Sequence, residues 1–80
     1  MRIDKFLKVS RLIKRRTVAT EACNSGRIAI NGKTVKPSAE VKEGDLITIS
    51  FGGKETAVRV KKVVEFVKAE EANTLYEAAE

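Results

Sequence analysis

Several residue types are scarce in this 80-residue chain, and each scarcity removes a class of chemistry. There is no histidine and no tryptophan, and there is a single cysteine, Cys23. Without histidine, the usual zinc sites and every histidine-based nucleophile or general-base arrangement are excluded. One cysteine forms no intramolecular disulfide, which fits a reducing, intracellular setting, and Cys23 reads as a small core residue rather than a reactive thiol. No apolar run approaches the roughly 18 residues that a membrane span needs. The opening MRIDKFLK lacks the pattern of a secretion signal. The expectation is a cytoplasmic protein with no membrane partner.

Catalytic constellations are missing as well. Glu70 and Glu71 are adjacent, so on a helix they point about 100° apart and cannot face each other as an acid/base pair. No G-x-x-x-x-G-K-[ST] phosphate loop occurs. The reading is a non-enzymatic protein with no cofactor and no metal.

What the chain does have is positive charge, unevenly placed. Residues 1–36 hold ten Lys or Arg against Asp4 and Glu21, a net of +8. Residues 37–80 hold six against nine acidic residues, a net of −3. Such asymmetry is the footprint of a polyanion-binding face, although a basic surface can also serve solubility alone. Lys14, Arg15 and Arg16 stand in a row with nothing acidic within four residues on either side. They repel one another, and a phosphate-rich partner relieves that repulsion.

Periodicity places these charges. Ile3, Phe6 and Leu7 predict a short amphipathic helix that frays near Ser10 and Arg11, with Asp4 favoured by the dipole at its start. Lys5 and Lys8 share its outer face. A second helix is expected after the basic triplet, with Thr17 as N-cap, an apolar stripe of Val18, Ala19, Ala22 and Cys23, and Gly26 ending it. The period then changes to two. Ile28 and Ile30 precede Asn31-Gly32, a strong hairpin signal. LITISF at 46–51 and TAVRV at 56–60 read as further strands. Phe6 and Phe51 fall at core-like positions, so base stacking is not the evident binding mode. Residues 69–79 place Ala72, Leu75, Tyr76 and Ala79 on one face of a terminal helix that docks on the domain or on a partner. The expected class is α+β, two helices packed on a small curled antiparallel sheet with a short C-terminal helix. Its domain spans 1–67 and its tail 68–80.

Arginine suits phosphate because its planar fork donates two parallel bonds. No long recognition helix is indicated, which favours structured RNA over the DNA major groove.

Three ordered motifs then carry a resemblance. They are R-I-D-K-F-L at Arg2–Leu7, R-x-T-x-A-x-E-A at Arg15–Ala22, and G-R-I-x-I-N-G-K at Gly26–Lys33, followed by the P-S…V-x-x-G-D-x-I signature from Pro37 to Ile47. Together they resemble the RNA-binding domain of ribosomal small-subunit protein four, also called the αL RNA-binding motif, over about 50 of the 80 residues. The resemblance is strongest to stand-alone members that act in ribosome-associated quality control, and more distant to a small ribosome-binding heat-shock protein. It implies an RNA-binding factor that contacts large-subunit rRNA and peptidyl-tRNA, and nothing in the sequence suggests more than a monomer. A further partner would be an RqcH-type factor that adds C-terminal alanines to the stalled chain. The implied RNA-binding residues are Arg2, Lys5, Arg11, Arg15, Arg16 and Thr17, with Arg27 and Lys33 as outer contacts. Lys14 joins them through the basic triplet. A generic rRNA-binding or assembly module and a protein-interaction module are the alternatives.

On this reading, Arg15→Glu with Arg16→Glu spares the fold, since exposed charges seldom set stability, and abolishes RNA binding. Circular dichroism and a binding assay on the double variant check both halves.

Overall fold

A computed structural model describes residues 1–79; Glu80, the last residue of the expected tail, lies outside the described residues. Two helices, α1 (Ile3–Val9) and α2 (Arg16–Asn24), lead into strands β1 (Ile28–Ile30), β2 (Lys33–Thr34), β3 (Leu46–Phe51) and β4 (Lys54–Val60). A 3₁₀ helix (Ala69–Leu75) and strand β5 (Tyr76–Ala78) complete the chain. The sheet runs β2-β1-β3-β4-β5 with every neighbouring pair antiparallel. The α+β class and the order of the elements as far as the terminal helical turn are as the sequence predicts; strand β5 after it is not.

The sheet register follows from alternation. Ile30 pairs with Ile47, and Ile47 with Val58, so three branched apolar side chains form one row across three strands. Ile28 and Ile49 make a second row. These residues are buried and meet Ile3, Phe6 and Leu7 of α1 and Ala19, Ala22 and Cys23 of α2 in one core. A one-residue slip would turn both rows to solvent. Asn31-Gly32 forms the two-residue turn between β1 and β2, with φ of 52° and 84°, as a primed hairpin turn requires. The Asn31 side chain then receives the Leu46 amide at 2.9 Å and donates to Asp45 at 3.1 Å, which fastens the hairpin to the turn before β3.

The helix ends use backbone more than side chains. Gly26, at φ +76°, closes α2 through bonds from Gly26 N to Cys23 O (3.1 Å) and from Arg27 N to Ala22 O (2.9 Å), the two bonds of a Schellman motif. At the start of α1, the Ile3 amide donates to Ala39 O at 2.7 Å and the Asp4 amide to Pro37 O at 3.3 Å. The segment around Pro37 therefore satisfies amides that a helix start leaves unpaired.

Thr17 is not the N-cap of α2. Arg15 holds that position with no side-chain cap bond, and the helix begins at Arg16. The first turn is set instead by Arg16 and Thr20, whose side chains both reach Asp4 on α1. Val18 is also outside the expected apolar stripe, at 40% exposure.

Two other differences lie late in the chain. Phe51 is 41% exposed at the tip of the β3–β4 hairpin, beyond the core rows, with the Arg27 guanidinium 5.7 Å from its ring centroid. The terminal helix is present as a 3₁₀ turn and ends at Leu75, sooner than its apolar stripe suggests. Three residues per turn still keep Ala72 and Leu75 on one buried face. Tyr76 and its neighbours extend because β4 offers an open edge, where Val60 pairs with Tyr76 and Val58 with Ala78.

Leu75 is 1% exposed and sits in the main core, so the C-terminal segment is held on the domain itself. Leu75→Ala is expected to lower stability by about 2–5 kcal/mol, measured by urea denaturation, while Thr74→Ala at the exposed neighbouring position changes it little.

Candidate nucleic-acid interface

A buried carboxylate joins the two helices. Asp4 on α1 is 2% exposed and accepts four bonds from three side chains. Arg2 donates through Nε to Oδ1 at 3.2 Å and through Nη2 to Oδ2 at 3.1 Å. Arg16 donates through Nη2 to Oδ1 at 3.2 Å, and the Thr20 hydroxyl lies 3.1 Å from Oδ2. That hydroxyl is also 3.0 Å from Arg16 O; having one hydrogen, it donates to one acceptor at a time.

The electrostatics of this node favour the ionised acid. Burial alone raises the Asp4 pKa, but the bonds from Arg2 and Thr20 and the charges of Arg16 and Arg2 outweigh it and hold the carboxyl below its ordinary value. One buried charge thus holds two guanidiniums, leaving a net of +1. The Arg2 and Arg16 side chains are still 53% and 45% exposed. Each keeps N–H donors beyond those spent on Asp4, since a guanidinium has five. Those remaining donors, held at one point, are of the kind that can take phosphate oxygens.

The triplet therefore does not act as one unit. Arg16 has a counter-charge twelve residues away in sequence, invisible in the local pattern. Lys14 and Arg15 are exposed and carry no ion pair among the described residues. They occupy the α1–α2 connection beside the Asp4 node. Thr17 is exposed on the first turn of α2.

Lys5, Lys8, Arg11 and Arg16 line a common cleft with Lys68, across from the connection that precedes the 3₁₀ helix. Lys5 pairs there with Glu65, and the hydrogen bond and charge of Lys5 keep the Glu65 carboxyl below its usual range. Arg11 follows the end of α1 with φ of 63°, the left-handed conformation that glycine adopts at the end of α2. Its amide donates to Lys8 O at 3.0 Å, closing the helix.

Arg27 and Lys33 lie elsewhere. Arg27 covers Phe51 and lines a separate depression with Thr48, Ser50 and Glu55, on the sheet face opposite the core. Lys33 is exposed on edge strand β2. The structure thus joins Arg2, Lys5, Arg11 and Arg16 around the helix pair and sets Arg27 and Lys33 apart.

Three participants were missed in the sequence as members of the site: Asp4, Thr20 and Lys68. Asp4 had a signal, being the sole acidic residue before Glu21. Thr20 and Lys68 had none, because only folding brings them to the site. Cys23, on the buried face of α2, takes no part; burial, and then the nearby Asp4 charge, push its thiol up to about 11.

The S4 domain model matches residues 1–47, the stretch that holds both helices, the Asp4 node and the β1–β2 hairpin. The chain belongs to the S4 domain family. Within it, the chain is 58% identical over 77 residues to the RQC P-site tRNA stabilizing factor of Halalkalibacterium halodurans, covering 96% of this chain and 88% of that one. It is 54% identical over 76 residues to the factor of the same name from Bacillus subtilis, covering 95% and 88%. Among solved S4-like structures, the trimeric Heat Shock Protein 15 of Vibrio cholerae superposes with a TM-score of 0.90 at 32% identity, covering 99% of this chain and 81% of that one.

The node predicts an acid-side stability slope. Because the Asp4 pKa is lowered on folding, its contribution is fully present above the unfolded value of about 3.9 and is lost as pH falls through the folded one. Asp4→Asn should flatten that part of a stability–pH curve. The node also separates the triplet. Lys14→Glu with Arg15→Glu is expected to fold normally by circular dichroism. Arg16→Glu sets a second carboxylate against buried Asp4 and should cost about 3–5 kcal/mol in urea denaturation, so the Arg15→Glu/Arg16→Glu pair does not spare the fold as the sequence alone suggests, because Arg16 is bound to Asp4.

Proposed function

We propose that this protein is a non-catalytic RNA-binding factor of the large ribosomal subunit, acting in the cytoplasm on subunits that still carry peptidyl-tRNA. The observation that carries the reading is the Asp4-held pair of half-exposed arginines, Arg2 and Arg16, flanked by the exposed Lys14 and Arg15. It stands on a chain that shares 58% of its residues with an RQC P-site tRNA stabilizing factor over nearly its whole length.

On this reading the two guanidiniums grip backbone phosphates of the tRNA and of the adjoining rRNA. Lys5, Lys8 and Arg11 extend the contact along α1. Arg27 and Lys33 touch RNA only at the margin, because the fold sets them on other surfaces. The factor steadies the tRNA, as a monomer, while an RqcH-type partner adds C-terminal alanines to the stalled chain. Recognition rests on phosphate and shape, so affinity falls with salt. Each phosphate contact contributes roughly 0.7–0.9 to the slope of log affinity against log salt.

A second reading, a large-subunit recycling factor of the heat-shock type, draws on the close superposition with the Vibrio cholerae protein. Co-sedimentation with purified large subunits, empty or loaded with peptidyl-tRNA, at low and moderate salt, separates either of these readings from a generic rRNA-binding module. Strong preference for loaded subunits with a steep salt slope is the expected result, and Lys14→Glu with Arg15→Glu should remove it. Equal binding to empty and loaded subunits would overturn the tRNA-stabilising role. A shallow salt slope would point to a protein-interaction module instead.

A further inference from the structure

The connection between β4 and the 3₁₀ helix carries a phenylalanine that the fold leaves in solvent. Phe66 is 83% exposed, against 41% for Phe51 and 40% for Val18. Burying a phenyl ring is favourable, and Val63, Val64 and Val67 on the same connection do pack against the core. Phe66 turns away from it.

Its surroundings indicate what meets the ring. Phe66 forms a wall of the cleft that holds Lys5, Lys8, Arg11, Arg16 and Lys68, a space of about 470 Å³, within the roughly 300–1,000 Å³ of ordinary small-ligand sites. Five cations face one carboxylate there, Glu65, which is committed to Lys5. Phe66 also lines a second, neighbouring groove with Lys62, Val64 and Thr74, so the ring is open from both. A cleft with excess positive charge and one free aromatic surface matches a ligand that is both anionic and flat. Duplex RNA offers phosphates but keeps its base faces covered. An acidic peptide offers carboxylates with no matching ring face. An unpaired nucleotide offers both features.

We infer that this cleft takes one unpaired nucleotide of the bound RNA, its base stacked on Phe66 and its flanking phosphates on Lys8, Arg11 and Lys68. The inference rests on the RNA-binding reading above and adds a site to it. It also gives a role to the C-terminal part of the chain, outside the residues that the S4 domain model matches. The cleft spans both parts, with α1 supplying the charge and the connection supplying the ring.

The test uses the full chain and a short single-stranded RNA with a central 2-aminopurine, whose fluorescence is quenched by stacking. Binding to the wild type should quench it. Phe66→Ala should remove the quenching and weaken binding by about 5- to 150-fold, the range for one base stacked on an aromatic side chain. Its salt slope should stay as in the wild type, because no phosphate contact is lost. Phe66→Tyr should restore both signals, whereas Phe66→Leu, apolar but without a ring face, should behave as alanine does. Lys68→Ala should instead lower the slope by about 0.7. With Phe66 so exposed, none of these variants threatens folding.

Unchanged affinity for Phe66→Ala, or wild-type affinity for Phe66→Leu, would overturn the stacking site. So would failure of the wild type to bind the single strand. Salt-sensitive binding of the wild type to peptidyl-tRNA-loaded subunits, measured in parallel, distinguishes the two failures. If that binding persists, only the stacking site falls; if it too is absent, the RNA-binding reading falls with it.

Discussion

The Asp4 carboxylate is the constraint on which the helix pair and its charged surface both depend. A carboxylate with 2% exposure is costly to bury, and here four bonds from Arg2, Arg16 and Thr20 offset that cost. Buried ion pairs are seldom large net contributors to stability, and their better-attested value is in fixing a geometry. The geometry fixed here is useful. Two arginines that would repel each other are drawn to one point, one from the start of each helix, with their outer faces still in water. On the proposed reading, a phosphate arriving there would meet donors already in place, which would reduce the ordering entropy that binding must overcome.

The rest of the fold serves that placement. The Asp4 amide is held by Pro37 O and the Ile3 amide by Ala39 O, so the loop between β2 and β3 sets the start of α1. The core rows of Ile28, Ile30, Ile47, Ile49 and Val58 set where the helices rest. Arg11 accepts a left-handed backbone to end α1, a conformation that costs a side-chain-bearing residue about 1–2 kcal/mol. The return of the chain to β4 through Leu75 and β5 brings Lys68 and Phe66 beside α1. The connection at 65–69, which straddles the expected boundary between domain and tail, is one wall of the charged cleft.

The proposed function draws on this division of labour. Phosphate contacts position an RNA without reading its sequence. The positive charge is graded by its partners. Arg2 and Arg16 are bound to Asp4, Lys5 to Glu65, and Lys14 and Arg15 project into solvent. On the proposed reading, the projecting pair would supply long-range attraction and the held pair geometry.

Much of this was legible in the residues because it depends on near neighbours. Gly26 and Asn31-Gly32 specify their turns through local backbone preference, and alternation at Ile28, Ile30, Ile47, Ile49, Val58 and Val60 specifies the inner face of the sheet. The concentration of charge in the first half, and the S4 motifs themselves, were equally plain. Contacts between residues far apart in sequence were not. Nothing local to Arg16 announces Asp4, so the triplet looked uniform when it is divided. Thr17 looked like a cap because capping is judged from adjacent residues, while the start of α2 is set by a bond to another helix. Phe51 continues the alternation of its strand but runs past the core, and Tyr76 continues a helical stripe but meets an open strand edge. Local chemistry thus determined the elements and the sign of the surface. Packing alone decided which charges are held, which are free, and which aromatic ring faces the solvent.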